Sequence, residues 1–163
     1  MIKKMLCLVL FLAVVASLAL SAEAPTVAFK AGDFYLSPQL NSVRTGGAGK
    51  LALGANAEYF VSNAVAVGGD VSFYLVSPGG VSVFPDVEYH FLVNVKGLDI
   101  FAGAGPSVFF GFGTDGKTVF GGKGFGAVRY FFTPSTGVFL KLGIAANKEG
   151  TTGYGAVGVS FKI

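Results

Sequence analysis

His90 is the only histidine in the chain and Cys7 the only cysteine, so candidates for proton transfer near neutral pH or for nucleophilic attack are few. His90 is followed by Phe91 and Leu92 with no nucleophile beside it, and a hydrogen-bonded filler is its expected role. Asp86 and Glu88 are close enough to suggest an acid pair. Neighbours on one face of one strand cannot flank a scissile bond from both sides, as glycoside hydrolysis requires. One histidine without a second soft ligand is a poor metal set, and no metal or other cofactor is expected. Two glycine runs invite a phosphate-loop reading. Gly121-Gly122-Lys123-Gly124-Phe125-Gly126 lacks a following helix, and Gly46-Gly47-Ala48-Gly49-Lys50 has Arg44 where the leading glycine belongs and Leu51 where a metal-binding hydroxyl belongs.

With no catalytic constellation to position, the informative features are compartment and periodicity. Lys3 and Lys4 precede an apolar run of 16 residues from Met5 to Leu20, and the small residues Ser21, Ala22 and Ala24 follow. That is the layout of a secretory signal peptide, and the run is shorter than the roughly 20 residues of a spanning helix. Residues 1–22 are expected to be removed and residues 23–163 to form one domain. Cys7 leaves with the leader, so export would bring no disulfide and no thiolate metal site. Removing Lys3 and Lys4 leaves ten basic against nine acidic residues, which does not support a nucleic-acid partner.

The chain has 163 residues, is 52% hydrophobic and 13% charged, and carries 25 glycines and 17 phenylalanines. This excludes disorder and is unusual for a water-soluble domain. After the leader, period-2 alternation dominates. Leu51, Leu53, Ala55, Ala57, Tyr59 and Val61 oppose Lys50, Ala52, Gly54, Asn56, Glu58 and Phe60. Later segments repeat the pattern: Val65–Leu75, Val81–Phe91, Leu98–Phe112, Val119–Phe132, Val138–Asn147 and Ala156–Ile163. With a first strand near Val27–Ser37 the count is eight. Pro85 and Pro106 predict bulges. Short turns are expected at Ser62–Ala64, Val93–Gly97 and Thr133–Thr136, and longer outer loops at Pro38–Gly49, Ser77–Gly80, Gly113–Lys117 and Lys148–Gly153. Glu58-Tyr59-Phe60, Glu88-Tyr89-His90-Phe91 and Arg129-Tyr130-Phe131-Phe132 each precede a short turn at spacings of 30 and 41 residues, a repeated hairpin rather than a solenoid.

The sign of the alternation separates two kinds of barrel. A soluble barrel points large apolar groups inward, whereas a membrane barrel turns them to lipid. Here the strand charges share the face opposite the aliphatic one, so the aliphatic face is expected outward. A closed antiparallel up-and-down β-barrel of eight strands satisfies every backbone group in hydrocarbon. Tyr59, Tyr89 and Tyr130 would form an interfacial aromatic girdle.

On Tyr59-Phe60-Val61-Ser62-Asn63-Ala64-Val65-Ala66-Val67-Gly68-Gly69 and Arg129-Tyr130-Phe131-Phe132, residues 25–163 resemble the small outer-membrane barrels of the OmpA and OmpX type. The C-terminal Gly158-Val159-Ser160-Phe161-Lys162-Ile163 is similar to that family's insertion signal, with Gly158, Phe161 and Ile163 in its key places, although Ile163 stands where phenylalanine is usual. The resemblance implies the bacterial outer membrane, with outer-membrane lipid and the insertion machinery as partners. No extracellular partner can be named from the sequence.

Inside such a barrel Glu58, Asp70, Asp86, Glu88 and Asp99 would face Lys123, Arg129, Lys141 and Lys162 as one charge network. Glu58 is expected to pair with Arg129 and Glu88 with Lys162. The resulting expectation is a non-enzymatic barrel with a plugged, charged interior and a structural or surface-interaction role. The alternatives are a narrow outer-membrane pore and a soluble periplasmic ligand-binding barrel.

Overall fold

The computed structural model describes residue 26 and residues 28–45, 48–75, 79–91, 93–112 and 116–163. The expected signal peptide and its cleavage after Ala22 lie outside the described residues. Alternating apolar and polar or small residues form eight strands: β1 Phe34–Thr45, β2 Ala48–Phe60, β3 Val65–Tyr74, β4 Gly80–Phe91, β5 Leu98–Gly111, β6 Thr118–Thr133, β7 Thr136–Asn147 and β8 Gly150–Lys162. Each pairs antiparallel with its chain neighbour, and β1 pairs with β8 to close the barrel. Closure leaves no sheet edge, and strand lengths of 10 to 16 residues meet or exceed the roughly 9 to 11 that cross a bilayer when tilted.

The polarity is that of a membrane barrel. Leu51, Val87 and Leu140 are 52%, 57% and 52% exposed, whereas Glu58 and Arg129 are 2% and 0% exposed. A soluble barrel would have to hide the first set, which rules out the periplasmic ligand-binding alternative. Among the described residues neither glycine run forms a phosphate loop. Gly121–Gly126 lies within β6, and Gly49 and Lys50 lie in β2.

Three expectations about the strands need correction. The described residues of Pro38–Gly49 are strand, and β1 begins at Phe34. Gln39 and Asn41 are lumen-facing rather than loop-forming: Gln39 Nε2 donates to Asp70 Oδ1 at 2.7 Å and Asn41 Nδ2 to Ser72 Oγ at 2.7 Å. Similarly, Gly150–Gly153 belongs to β8, leaving a two-residue turn at Lys148 and Glu149. The prolines produce no bulge. The β4–β5 register runs Val83 to Val108 and then Val87 to Ala104, the same number of residues on both strands. Pro85 and Pro106 therefore sit opposite each other in one local gap, where neither is asked for the N–H it lacks. Among the described residues the register shift occurs instead between Phe131 and Thr133.

Candidate functional site: the lumen

At the end carrying the short turns, Phe29, Tyr35, Phe60, Ala66 and Phe131 form a buried cluster inside the barrel. Phe29 precedes β1 and enters because a tight turn redirects the chain. Gly32 has φ +94°, a backbone conformation glycine adopts without strain, and its N–H donates to the Phe60 carbonyl at 2.8 Å. Phe29 stacks on Phe60 with ring centroids 4.3 Å apart. An aromatic cluster at this level was not anticipated, since the expected filling was ionic. Its sequence signal is the alternating inward phenylalanines, Phe60 and Phe131, at strand ends beside turns.

Directly inside the plug lies Arg129, fully buried. Its Nη1 donates to Glu58 Oε2 and its Nη2 to Asp99 Oδ2, both at 2.8 Å. The guanidinium also lies about 5 Å from the ring centroids of Tyr35, Phe101 and Phe131 and 5.6 Å from that of Phe29. A planar, weakly hydrated cation suits such a site: its edge takes carboxylates and its faces take rings.

The contacts continue from strand to strand. Asp99 Oδ1 is 3.0 Å from His90 Nδ1, His90 Nε2 is 3.6 Å from Glu88, Glu88 is 3.7 Å from Lys141 Nζ, and Lys141 Nζ is 3.6 Å from Asp70. Gln39 on β1 ends the string at Asp70, and Ser160 on β8 joins it through Arg129 at 3.4 Å. Every strand of the barrel thus contributes a side chain to one connected string. A buried charge costs least when opposite charge and donors surround it, and this string supplies both.

The expected contact between Glu58 and Arg129 is present. The expected Glu88–Lys162 pair is not: Lys162 Nζ lies 2.7 Å from Asp33 Oδ2 at the rim, because the turn before β1 brings Asp33 to the last residues of β8. Two other residues assigned to the network stand apart from it. Lys123 forms no ion pair among the described residues; its ammonium sits over Phe84 and Tyr154, 4.6 and 4.8 Å from the ring centroids. Both carboxylate oxygens of Asp86 are buried without a hydrogen-bond partner. Inward glycines make room for the intervening rings. A Cβ on Gly103 would meet Phe125 at 2.6 Å, and one on Gly143 would meet Tyr154 at 2.7 Å.

Glu58, Glu88 and His90 bring ligand atoms within 4.8 Å of one another, a grouping not foreseen from the sequence. Arg129 and Lys141 already stand against the two acids, so a metal ion there would have to displace or oppose fixed cations. His90 hydrogen-bonds Asp99, and no hydroxyl or thiol bonds to it among the described residues.

The outward residues singled out from the sequence lie where the alternation requires. Tyr59 and Tyr89 are exposed and Tyr130 half-buried, all near the short-turn end. Phe161 and Ile163 face outward, whereas Gly158 faces Phe139 in the lumen.

No protein-family model matches the chain, and no curated protein matches it. Solved structures do. The N-terminal β-barrel domain of Pseudomonas aeruginosa OprF superposes with a TM-score of 0.65 at 18% identity, covering 79% of this chain and 97% of that one. Neisserial surface protein A gives 0.66 at 18% identity, covering 80% and 97%. A de novo designed transmembrane β-barrel gives 0.59 at 17% identity, covering 84% and 100%. With its closed eight-stranded meander, outward aliphatic belt and these structural neighbours, the chain has the fold of the small outer-membrane β-barrels of the OmpA and OmpX type.

Proposed function

We propose that the chain is an integral protein of the bacterial outer membrane, non-enzymatic, with an interior closed by its own side chains and a role in envelope structure or surface interaction. The observation that carries this reading is the pairing of an apolar exterior with a lumen tied across by the Glu58–Arg129–Asp99 contacts and capped by Phe29 on Phe60. Lipid would solvate the first, and the second supports an interior closed to solute. On this reading Tyr59, Tyr89 and Tyr130 lie at one membrane interface, and Gly158, Phe161 and Ile163 present the C-terminal strand to the insertion machinery. The segment before the described residues acts as a secretory signal peptide, and outer-membrane lipid is the partner of the belt. The absence of a nucleophile beside His90 among the described residues supports the non-enzymatic assignment.

Cell fractionation with heat-modifiable gel mobility tests the reading. The protein is expected in the outer-membrane fraction and to run differently before and after boiling. Recovery from the soluble periplasm would refute it. The pore alternative draws on the unpartnered polar atoms of Asn56, Asp86 and Lys141 in mid-lumen, which are sites for water. Conductance steps from the unaltered protein in planar bilayers would favour the pore; the closed-lumen reading expects none.

A further inference from the structure

His90 is fully buried between two acids, one at each ring nitrogen. Nδ1 lies 3.0 and 3.2 Å from the two carboxylate oxygens of Asp99, and Nε2 lies 3.6 Å from Glu88 Oε2. A neutral imidazole carries one N–H and one lone pair, so either of its tautomers turns the lone pair toward a carboxylate. The imidazolium alone presents an N–H to both acids.

The charge of the connected string points the same way. Its four carboxylates, Glu58, Asp70, Glu88 and Asp99, stand against two fixed cations, Arg129 and Lys141. A proton on His90 halves that excess of buried negative charge, which is otherwise costly to hold out of water. Glu58 on β2, Glu88 on β4 and Asp99 on β5 face the ring as acids, and the nearest oxygens of Glu58 and Glu88 lie within 4.8 Å of it. Against them, Arg129 on β6 reaches Asp99 and Lys141 on β7 reaches Glu88, so each acid touching the ring is shared with one cation. The aromatic neighbours carry no charge. The ring stacks on Phe101 with centroids 4.8 Å apart at 14°, and Phe60 and Phe29 follow at 4.6 and 4.9 Å. Aromatic faces attract a cation through the ring quadrupole.

We infer that His90 is an imidazolium in the folded barrel, a third buried cation that ties Asp99 to Glu88 and makes this joint of the string depend on a bound proton. Loss of the proton sets a lone pair against one of the acids and parts the Arg129 end of the string from the Lys141 end. The inference rests on the closed-lumen reading and adds to it a dependence on pH.

His90 is the only histidine, so untagged protein carrying histidine labelled at its ring nitrogens gives one unambiguous set of nitrogen NMR signals. The protein is purified from the membrane fraction and placed in phosphatidylcholine nanodiscs. At about pH 7.5, where roughly a tenth of an exposed imidazole is protonated, both ring nitrogens are expected to carry protons. Urea unfolding in vesicles of the same lipid then compares the protein with His90→Gln. Above the range in which free imidazole titrates, the folded state keeps a proton that the unfolded chain has released, so rising pH favours unfolding. The ratio of the two unfolding constants is expected to stay level below about pH 6.5 and to shrink by up to about tenfold per pH unit above it, until the ring signal shows the proton leaving. The variant is first checked for heat-modifiable mobility. If it does not fold, the ring signal of the unaltered protein decides alone. One bare ring nitrogen at about pH 7.5, or a ratio that stays level from about pH 6 to 9, would overturn the inference. A protein that never reaches the membrane fraction fails the earlier reading, whereas an inserted barrel with a neutral His90 fails this one alone.

Discussion

The two halves of the lumen are lined by the same inward-facing alternation, yet they handle charge differently. In the plug half, Arg129 is held by Glu58 and Asp99 and ringed by aromatic faces, and Lys141 stands between Asp70 and Glu88. Toward the other end, Lys123 and Asp86 are each without an ion pair among the described residues, whereas Glu88, His90 and Lys141, whose side-chain atoms likewise lack a hydrogen-bond partner, each stand within 4 Å of an opposite charge. A narrow barrel can hold many ionic side chains when they arrive in complementary sets at one level. Left singly, they require water or a ligand. The plug half is therefore assigned to stability and the outer half to solvent.

Removing one member of the paired set should have the largest effect. Arg129→Met leaves Glu58 and Asp99 facing each other without their cation and is expected to cost about 3 to 5 kcal/mol, measured as the urea midpoint of the heat-modifiable form in vesicles. A cost under about 1 kcal/mol would mean that the plug half is no more tightly coupled than the outer half. Next, Phe60→Ala removes the ring beneath Phe29 and should cost about 3 kcal/mol while giving the closed barrel measurable conductance. Retained silence in planar bilayers would show that the polar string alone seals the lumen. The exterior offers a similar contrast: Leu140→Arg, on the lipid face, should cost roughly 2 to 4 kcal/mol if its site is near mid-bilayer.

The smallest effect should have the opposite sign. Asp86→Asn removes a buried carboxylate with no partner and is expected to leave stability unchanged or raise it by about 1 kcal/mol. A loss of several kcal/mol would mean that Lys123, across Gly105 from Asp86, already serves it as counter-charge, and would erase the difference between the halves.

Much of the fold was legible because period-2 alternation is imposed locally by strand geometry. Leu51 and Glu58 already stand on opposite faces before any partner strand is known. The inner surface was less legible because it depends on shear, which no single strand carries. Glu58 and Arg129 meet, but Lys162 does not reach Glu88 because Asp33 arrives at the rim first. Pro38, Gln39 and Asn41 read as a loop because polar residues and proline punctuate soluble chains. In this barrel Gln39 and Asn41 line the lumen, and Pro38 takes an outward strand position. Phe29 was illegible for a different reason: its place depends on the turn at Gly32 rather than on any periodicity.

The central claim is the direction in which each face looks, and spin-label accessibility measures it residue by residue. Single cysteines, introduced in a Cys7→Ser background at Leu51, Val67, Val87 and Leu140 and at Asn56 and Ser72, are labelled with a nitroxide in liposomes. Labels at the first four positions should collide with lipid-soluble oxygen and be shielded from a water-soluble nickel chelate, while those at Asn56 and Ser72 should be poorly accessible to oxygen. If the first four labels instead met the nickel chelate, or were shielded from both reagents as in a packed core, the outward-apolar barrel would be contradicted.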